Sequence, residues 1–559
     1  MKLTTSWSVA PFCLGLLLLA ATIFAHAAEN PGTEIQRRQA IQLEQSQAKQ
    51  QTPSDTLSAS PAPGDSAHVV VTETSCFTLT TFAWQGAEAF PWLAAKTDYF
   101  AGQCLGAQSL KRLRDYLTLA LLERGFITSR VVYPEQNLNQ GVLTLQVIPG
   151  RLKTVRNKGA FIGMVSFPLA AREGDLINQR DLDQSLENFR RLQGQAETSF
   201  ELIPGAELGD SDLLISHGKA TRVHGSISLD DAGSQNTGKH QLSVNLSIDS
   251  ALRMYDSLAL TFNSNANFQD QTLGNRATAL QWSVPLGYGS VFFGINQSNY
   301  KQTVAGFVAP IEYTGNSQMF EVGTGFVPYR AGNYKGQSQL KTFRKISQNF
   351  IDEIEIGVQA RDVLGWELSH QHKHLLGQWS THFNVAIRAS LPTRSNNNGV
   401  LLGEPDWNGY YRVDAVNLNA ERSFAINEMP VRYQTQLRWQ HCGTSLPSSE
   451  YFSIGGRYSV RGFDGENTLS AESGGYWRNE FGLGLPHRQE AYLALDAGRV
   501  KGKQSDWLTQ KTLAGAALGL RGVFWKMSYD FSMGWPIVKP HSFTSHPVIA
   551  GSISFQFNG

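Results

Sequence analysis

The stretch Gly455-Gly456-Arg457-Tyr458-Ser459-Val460-Arg461-Gly462-Phe463-Asp464-Gly465-Glu466-Asn467 places one cation, Arg461, between an apolar residue and a glycine-aromatic pair. Its glycines and the Asp-Gly pair supply the positive-φ turns of a long folded loop, so no regular strand or helix runs through it. A lone loop arginine is ordinarily solvated. Further on, Tyr492-Leu493-Ala494-Leu495-Asp496-Ala497-Gly498 alternates, with Leu493, Leu495 and Ala497 on one face and Tyr492, Ala494 and Asp496 on the other. If that strand belongs to a barrel in lipid, Asp496 points into the lumen, where a carboxylate needs a partner. A loop that folds inward brings it Arg461. The chemistry on offer is therefore an ion pair that fastens a loop.

Little else is arranged for reaction. With a net charge of +1 and 17% charged residues among 559, no basic excess exists to neutralise phosphates, and nucleic acid is excluded as a partner. Gly233-Ser234-Gln235-Asn236-Thr237-Gly238-Lys239-His240 nearly matches a phosphate-binding loop. It fails because His240 stands where a hydroxyl would hold magnesium and because the run joins two alternating strands instead of opening a helix, so it reads as a hairpin turn. No nucleophile elbow, dinucleotide fingerprint or paired metal-binding histidines occur in a supporting context. Catalysis, cofactor and metal are not expected, and carboxylates such as Glu355 and Asp530 read as solvated lumen lining. Cys76 and Cys104 lie in one small segment of an exported chain, where an oxidising compartment makes them a disulfide. Cys442 beside His441 is an isolated dipeptide and makes a poor metal site.

The elements that position these residues are mostly strands. Residues 1–27 read as a signal peptide, with Lys2 at a positive start, an apolar stretch from Pro11 to Ile23 and a small-x-small site at Ala25-His26-Ala27. Residues 28–51 have good helix propensity and few apolar positions, the pattern of a polar helix or a frayed tail. Residues 52–67, rich in Ser, Pro and Ala, read as a flexible linker. In 68–150, a strand at Phe77 and Leu79 precedes a helix whose Leu110, Leu113, Leu117 and Leu121 repeat at three and four, with strands Thr128 to Tyr133 and Val142 to Ile148 after it. In 151–218, a helix with Leu182, Leu186, Phe189 and Leu192 on one face precedes strands from Ser199 and Asp212. These are two small α+β units.

From about residue 219 to 559 a period of two takes over, as in Leu242-Val244-Leu246-Ile248, Ile354-Ile356-Val358-Ala360, Trp525-Met527-Tyr529-Phe531 and Ile553-Phe555-Phe557. No run of 18 apolar residues follows the signal peptide, so a membrane would have to be crossed by a closed barrel. Nine of the twelve tryptophans lie beyond residue 280, as interfacial girdles require. At about 20 residues per strand and connection, this part holds about 16 antiparallel strands of a transmembrane β-barrel.

Val460-Arg461-Gly462-Phe463, with Asp464-Gly465-Glu466-Asn467-Thr468-Leu469 and Trp477-Arg478-Asn479-Glu480, resembles the sixth-loop signature of two-partner secretion outer-membrane transporters (TpsB class), most of all the haemolysin-activator and contact-dependent-inhibition branch. Gly125-Phe126-Ile127-Thr128-Ser129-Arg130-Val131, Pro134-Glu135-Gln136-Asn137-Leu138 and Val147-Ile148-Pro149-Gly150-Arg151 are similar to its first POTRA domain, and 151–218 resembles a second. The resemblance implies an outer-membrane barrel with periplasmic POTRA domains and a lumenal plug at helix 28–51. It also implies a loop at about 445–475 locked by Val460, Arg461, Gly462, Phe463 and Asp496. The partner it implies is one large secreted exoprotein of the TpsA type, recognised through its N-terminal secretion domain and passed unfolded to the surface without ATP. A barrel insertase shares the Arg-Gly-aromatic loop but ordinarily carries more POTRA domains, and a passive porin needs none.

Overall fold

The computed structural model describes residues 69–559 apart from 160–162, 271, 305–309, 393, 396–408, 544 and 559. The expected signal peptide, polar helix and linker lie outside the described residues.

The first α+β unit is built on a three-stranded sheet in the order β2 (Thr81–Gln85), β5 (Val142–Ile148), β4 (Arg130–Val132), flanked by the antiparallel pair β1 (Phe77–Leu79) and β3 (Gln103–Leu105). Helix α1 (Ala107–Glu123) covers the sheet because Leu113, Leu117 and Leu121 fall on one face and are fully buried with Leu79, Phe90, Leu143 and Leu145. Gly125, at φ +91°, ends it in the left-handed region that costs glycine nothing. Cys76 is bonded to Cys104 of β3 across this pair.

The second unit pairs β6 (Arg151–Lys158) in parallel with β8 (Asp210–Ser216), and β8 antiparallel with β7 (Ser199–Pro204). Helix α2 (Gln179–Arg190) is capped by Asn178, whose side chain accepts from the Arg180 amide, and buries Leu182 and Phe189. Leu186 remains only partly covered. It lines a groove of about 350 Å³ between α2 and β7, with Ile127, Leu182, Phe200 and Leu202 among its apolar walls.

Sixteen long antiparallel strands close a barrel, from Val223–Asp230 to Val548–Asn558, the last pairing with the first. The alternation expected around Asp496 holds: Leu493 and Leu495 are exposed on the outer wall, whereas Tyr492, Ala494 and Asp496 are buried within. The alternation read through Ile354 to Ala360 does not form a barrel strand. Asp352 and Glu353, at φ +45° and +68°, turn the chain at the surface rim. Only Ile354–Glu355 then pairs, and Gly357–Gln359 is a 3-10 turn. Glu355 is therefore an exposed residue of this rim and not part of the lumen lining. Trp525 likewise sits in a turn at φ +55°, two residues before the strand Met527–Val538.

Helix α2 is fastened to the periplasmic mouth of the barrel. Glu187 accepts hydrogen bonds from Arg330 Nη2 and Lys335 Nζ, both at 2.7 Å. Asn188 donates to the Gly287 carbonyl at 2.7 Å, and Arg191 to the Tyr255 and Ser283 carbonyls at 2.8 and 2.9 Å. Tyr288 donates to Asp181 at 2.6 Å, and the Gly194 amide to Asp249 at 2.6 Å. Burial pushes the Glu187 carboxyl up, but the Arg330 hydrogen bonds and the two neighbouring cations overcome it and hold the group at about 2.

Candidate functional site: the inward loop

The loop leaves the barrel strand Met429–Cys442 and returns in Ser473–Leu485. Its stem is a short hairpin in which Phe452–Ile454 pairs with Leu469–Ala471. Phe452, Ile454, Val460, Phe463 and Leu469 form an apolar cluster with Tyr476, Val500 and Leu513 of the barrel wall, so the stem packs inside the bore. Its tip reaches Arg461 through Gly455 at φ +116° and leaves it through Gly462 at φ +100°.

Arg461 is gripped from several sides. Its Nε and Nη2 donate to the two carboxylate oxygens of Asp496 at 2.7 and 2.9 Å, and its own backbone amide donates to the same carboxylate at 2.9 Å. Nη1 donates to Glu480, and Nη2 also reaches the Asn479 carbonyl at 3.3 Å. This is the planar fork geometry that only arginine offers a carboxylate. Arg461 and Asp496 are 9% and 4% exposed, drier than the wet lumen expected from alternation alone. Val460 is fully buried and Phe463 packs edge-on to Phe543 at 5.9 Å between ring centres.

The wall is shaped for this tip. A Cβ at Gly462 would collide with the Trp535 carbonyl, and one at Gly515 with the carbonyl of Arg461 itself. The loop backbone thus rests directly on the strands Thr512–Phe524 and Met527–Val538. Behind the tip, Glu480 also accepts from Arg432 and Arg521, while Tyr492 donates to Asp530 at 2.8 Å. Lower on the stem, Glu450 accepts from Lys345 at 2.9 Å and Arg388 at 3.0 Å, and Arg388 continues to Glu367 at 2.7 Å.

The structure therefore brings Val460, Arg461, Gly462, Phe463 and Asp496 into one site, and it places Cys76 and Cys104 apart from it in the first periplasmic unit. Sequence reasoning quoted Glu480 only as part of Trp477-Arg478-Asn479-Glu480, without a contact, and did not name Gly515 or the Glu450 contact. In the structure Arg478 pairs directly with Asp496, and Glu480, two residues along the same strand, returns to the same face and so reaches Arg461. Gly515 carried no signal in a glycine-rich chain. Among the described residues no group of three or more His, Cys, Asp or Glu could hold a metal ion.

Fold and site together define an outer-membrane β-barrel carrying periplasmic α+β units and an arginine-fastened loop folded into its bore. Residues 209–522 match the haemolysin secretion/activation protein family ShlB/FhaC/HecB, and residues 77–150 match the ShlB-type POTRA domain. The chain belongs to this family of two-partner secretion transporters of the outer membrane. It is 31% identical to the outer membrane transporter CdiB-2 of Burkholderia pseudomallei over 581 residues, covering 97% of this chain and 98% of that one. The solved structure of CdiB from Acinetobacter baumannii superimposes with a TM-score of 0.83 at 28% identity, and that of CdiB from Escherichia coli with 0.85 at 26%. Each comparison covers 95% of this chain and all of the other.

Proposed function

We propose that the transporter exports one large exoprotein, taken in the periplasm as an extended N-terminal secretion domain and passed unfolded through the bore once the Arg461 loop withdraws. The observation that carries this reading is the seating of the loop. It lies in the path a chain must take, held there by the Arg461 ion pairs and by the apolar cluster around Val460 and Phe463. In this reading Val460 and Phe463 seat the tip, Gly462 lets it lie on the wall, and Arg461, Asp496 and Glu480 are the lock. Residues 68–150 and 151–218 act as two POTRA domains and 219–559 as the barrel, with 28–51 as a plug on the 52–67 tether.

The second unit has the means to hold an extended segment. Among the described residues β7 pairs only with β8, leaving one edge open beside the apolar groove under α2. Strand addition there would supply backbone hydrogen bonds, and alternate side chains would enter the groove. Folding of the cargo outside supplies a direction to transport where no ATP is present. The Cys76–Cys104 bond braces the first unit against unfolding, and no enzymatic activity is assigned to the chain.

The test compares proteins in the medium and in the outer membrane with and without this chain. Loss of one large exoprotein, with other barrels at normal levels, is expected. A joint fall of many barrel proteins would instead make the chain an insertase.

A further inference from the structure

The loop also reaches the place where the barrel closes on itself. The seam pairs Ser552–Asn558 of the last strand with His224–Asp230 of the first and leaves Val548–Gly551 of the last strand beyond the ladder. Above Asp230 the seam is continued by a side chain: the Gly551 amide donates to the Asp231 carboxylate at 3.0 Å, and the Asp231 amide reaches the Gly551 carbonyl at 3.3 Å. Arg457, four residues before Arg461, donates to that carboxylate and to the Gly551 carbonyl at 3.4 Å, so one guanidinium touches both strands of the seam. On the other side of the tip, Glu466 accepts from Ser234 Oγ and the Gln235 amide, both at 2.9 Å, in the hairpin that follows the first strand. That hairpin is the phosphate-loop lookalike, whose structural partner is thereby found.

We propose that Arg457 and Glu466 form a second clamp that couples the seating of the loop to closure of the upper seam. A charge that spans two strand ends restrains both, and it compensates the Asp231 carboxylate that already accepts from the Gly551 amide of the opposite strand. When the loop withdraws, the clamp goes with it and the seam above Ser552 loses its brace. Arg457 is a positioning residue in this scheme. The inference rests on the chain being a barrel with an inward loop and does not require Arg461 to be needed for export.

Hydrogen exchange on the full chain in lipid nanodiscs tests it. Arg457→Ala is expected to raise exchange at least tenfold in peptides covering 223–231 and 548–558, with peptides covering 473–501 changed less than twofold. Arg461→Ala is expected to raise both sets. The swap Arg457→Asp with Asp231→Arg rebuilds only the ion pair and should return the seam peptides part of the way toward the native protein, because an arginine at position 231 cannot accept from the Gly551 amide. Unchanged seam exchange in Arg457→Ala, or a uniform rise over all strands, would overturn the coupling. If Arg457→Ala does not insert, Glu466→Gln is measured instead: a rise confined to 231–241 supports the clamp, and no change there removes it. Export assays report separately on Arg461, so failure of one reading leaves the other legible.

Discussion

Two buried charge clusters hold separate parts of this molecule together, and they are built differently. At the periplasmic mouth, helix α2 is joined to several barrel turns by Glu187, Asn188, Arg191 and backbone groups near Gly194, so no single contact carries the joint. In the bore, the loop tip is centred on the Arg461 guanidinium, with two carboxylates and a neighbouring carbonyl around it, and is seated further by Arg457, Glu466 and the apolar packing of Val460 and Phe463. The first arrangement suits an attachment that keeps its geometry while cargo is bound. The second suits one that lets go, because its charged contacts all sit on one short loop and leave together when that loop withdraws.

Truncating Glu187 to Ala is the largest way to break the comparison. It strands Arg330, whose side chain is 1% exposed, beside Lys335, and removing one partner of a buried pair costs ~3–5 kcal/mol. A lower melting temperature of the folded band on seminative electrophoresis, together with less protein in the outer membrane, is expected. An unchanged melting temperature would mean the joint is no firmer than the lock.

Arg461→Ala should act on transport instead, with normal insertion and a roughly tenfold drop in exported protein, equivalent to ~1.4 kcal/mol. The exchange Arg461→Asp with Asp496→Arg should recover part of it. Normal export from Arg461→Ala would end the lock role.

Gly515→Ala sharpens the contrast without touching a charge. The added methyl meets the Arg461 carbonyl, and overpacking of this kind costs ~1–3 kcal/mol. The outcome to look for is a several-fold rise in single-channel openings at unchanged barrel melting. Equal loss of barrel stability would show that the wall, not the loop, takes the strain.

Mild acid gives the smallest effect. Glu187 is held at about 2 against an ordinary 4.5. A depressed carboxylate contributes fully above its unfolded value and loses that contribution as pH falls toward its folded one. The wild-type melting temperature should begin to fall below about pH 4.5 and continue to about pH 2, and Glu187→Gln should flatten that part of the curve. A parallel curve in the variant would assign the acid sensitivity elsewhere.

Much of this architecture was legible. Period-two alternation separated Leu493 and Leu495 from Asp496, and three- and four-residue spacing found both helices, because burial on one face leaves a mark in the sequence. The turns were harder. Asp352-Glu353, Asn427-Glu428 and His487-Arg488 all take positive φ without a glycine, so the usual hairpin signal was absent, and the alternation of Ile354 to Ala360 ran through the 3-10 turn Gly357–Gln359. The lock was half legible. Arg461 and Asp496 were named by type and motif, but Glu480 and Gly515 matter through contacts between distant segments, which no local pattern records.

The loop touches the wall at Lys345 and Arg388, at Asp496 and Glu480, and at Asp231, and carries an apolar cluster between its stem and the wall. A bore braced across its width in this way is a permeability matter for the cell as well as a transport one. While the loop is seated, small solutes meet an obstructed conduit, and in the export cycle proposed above leakage is confined to the interval after the loop has withdrawn.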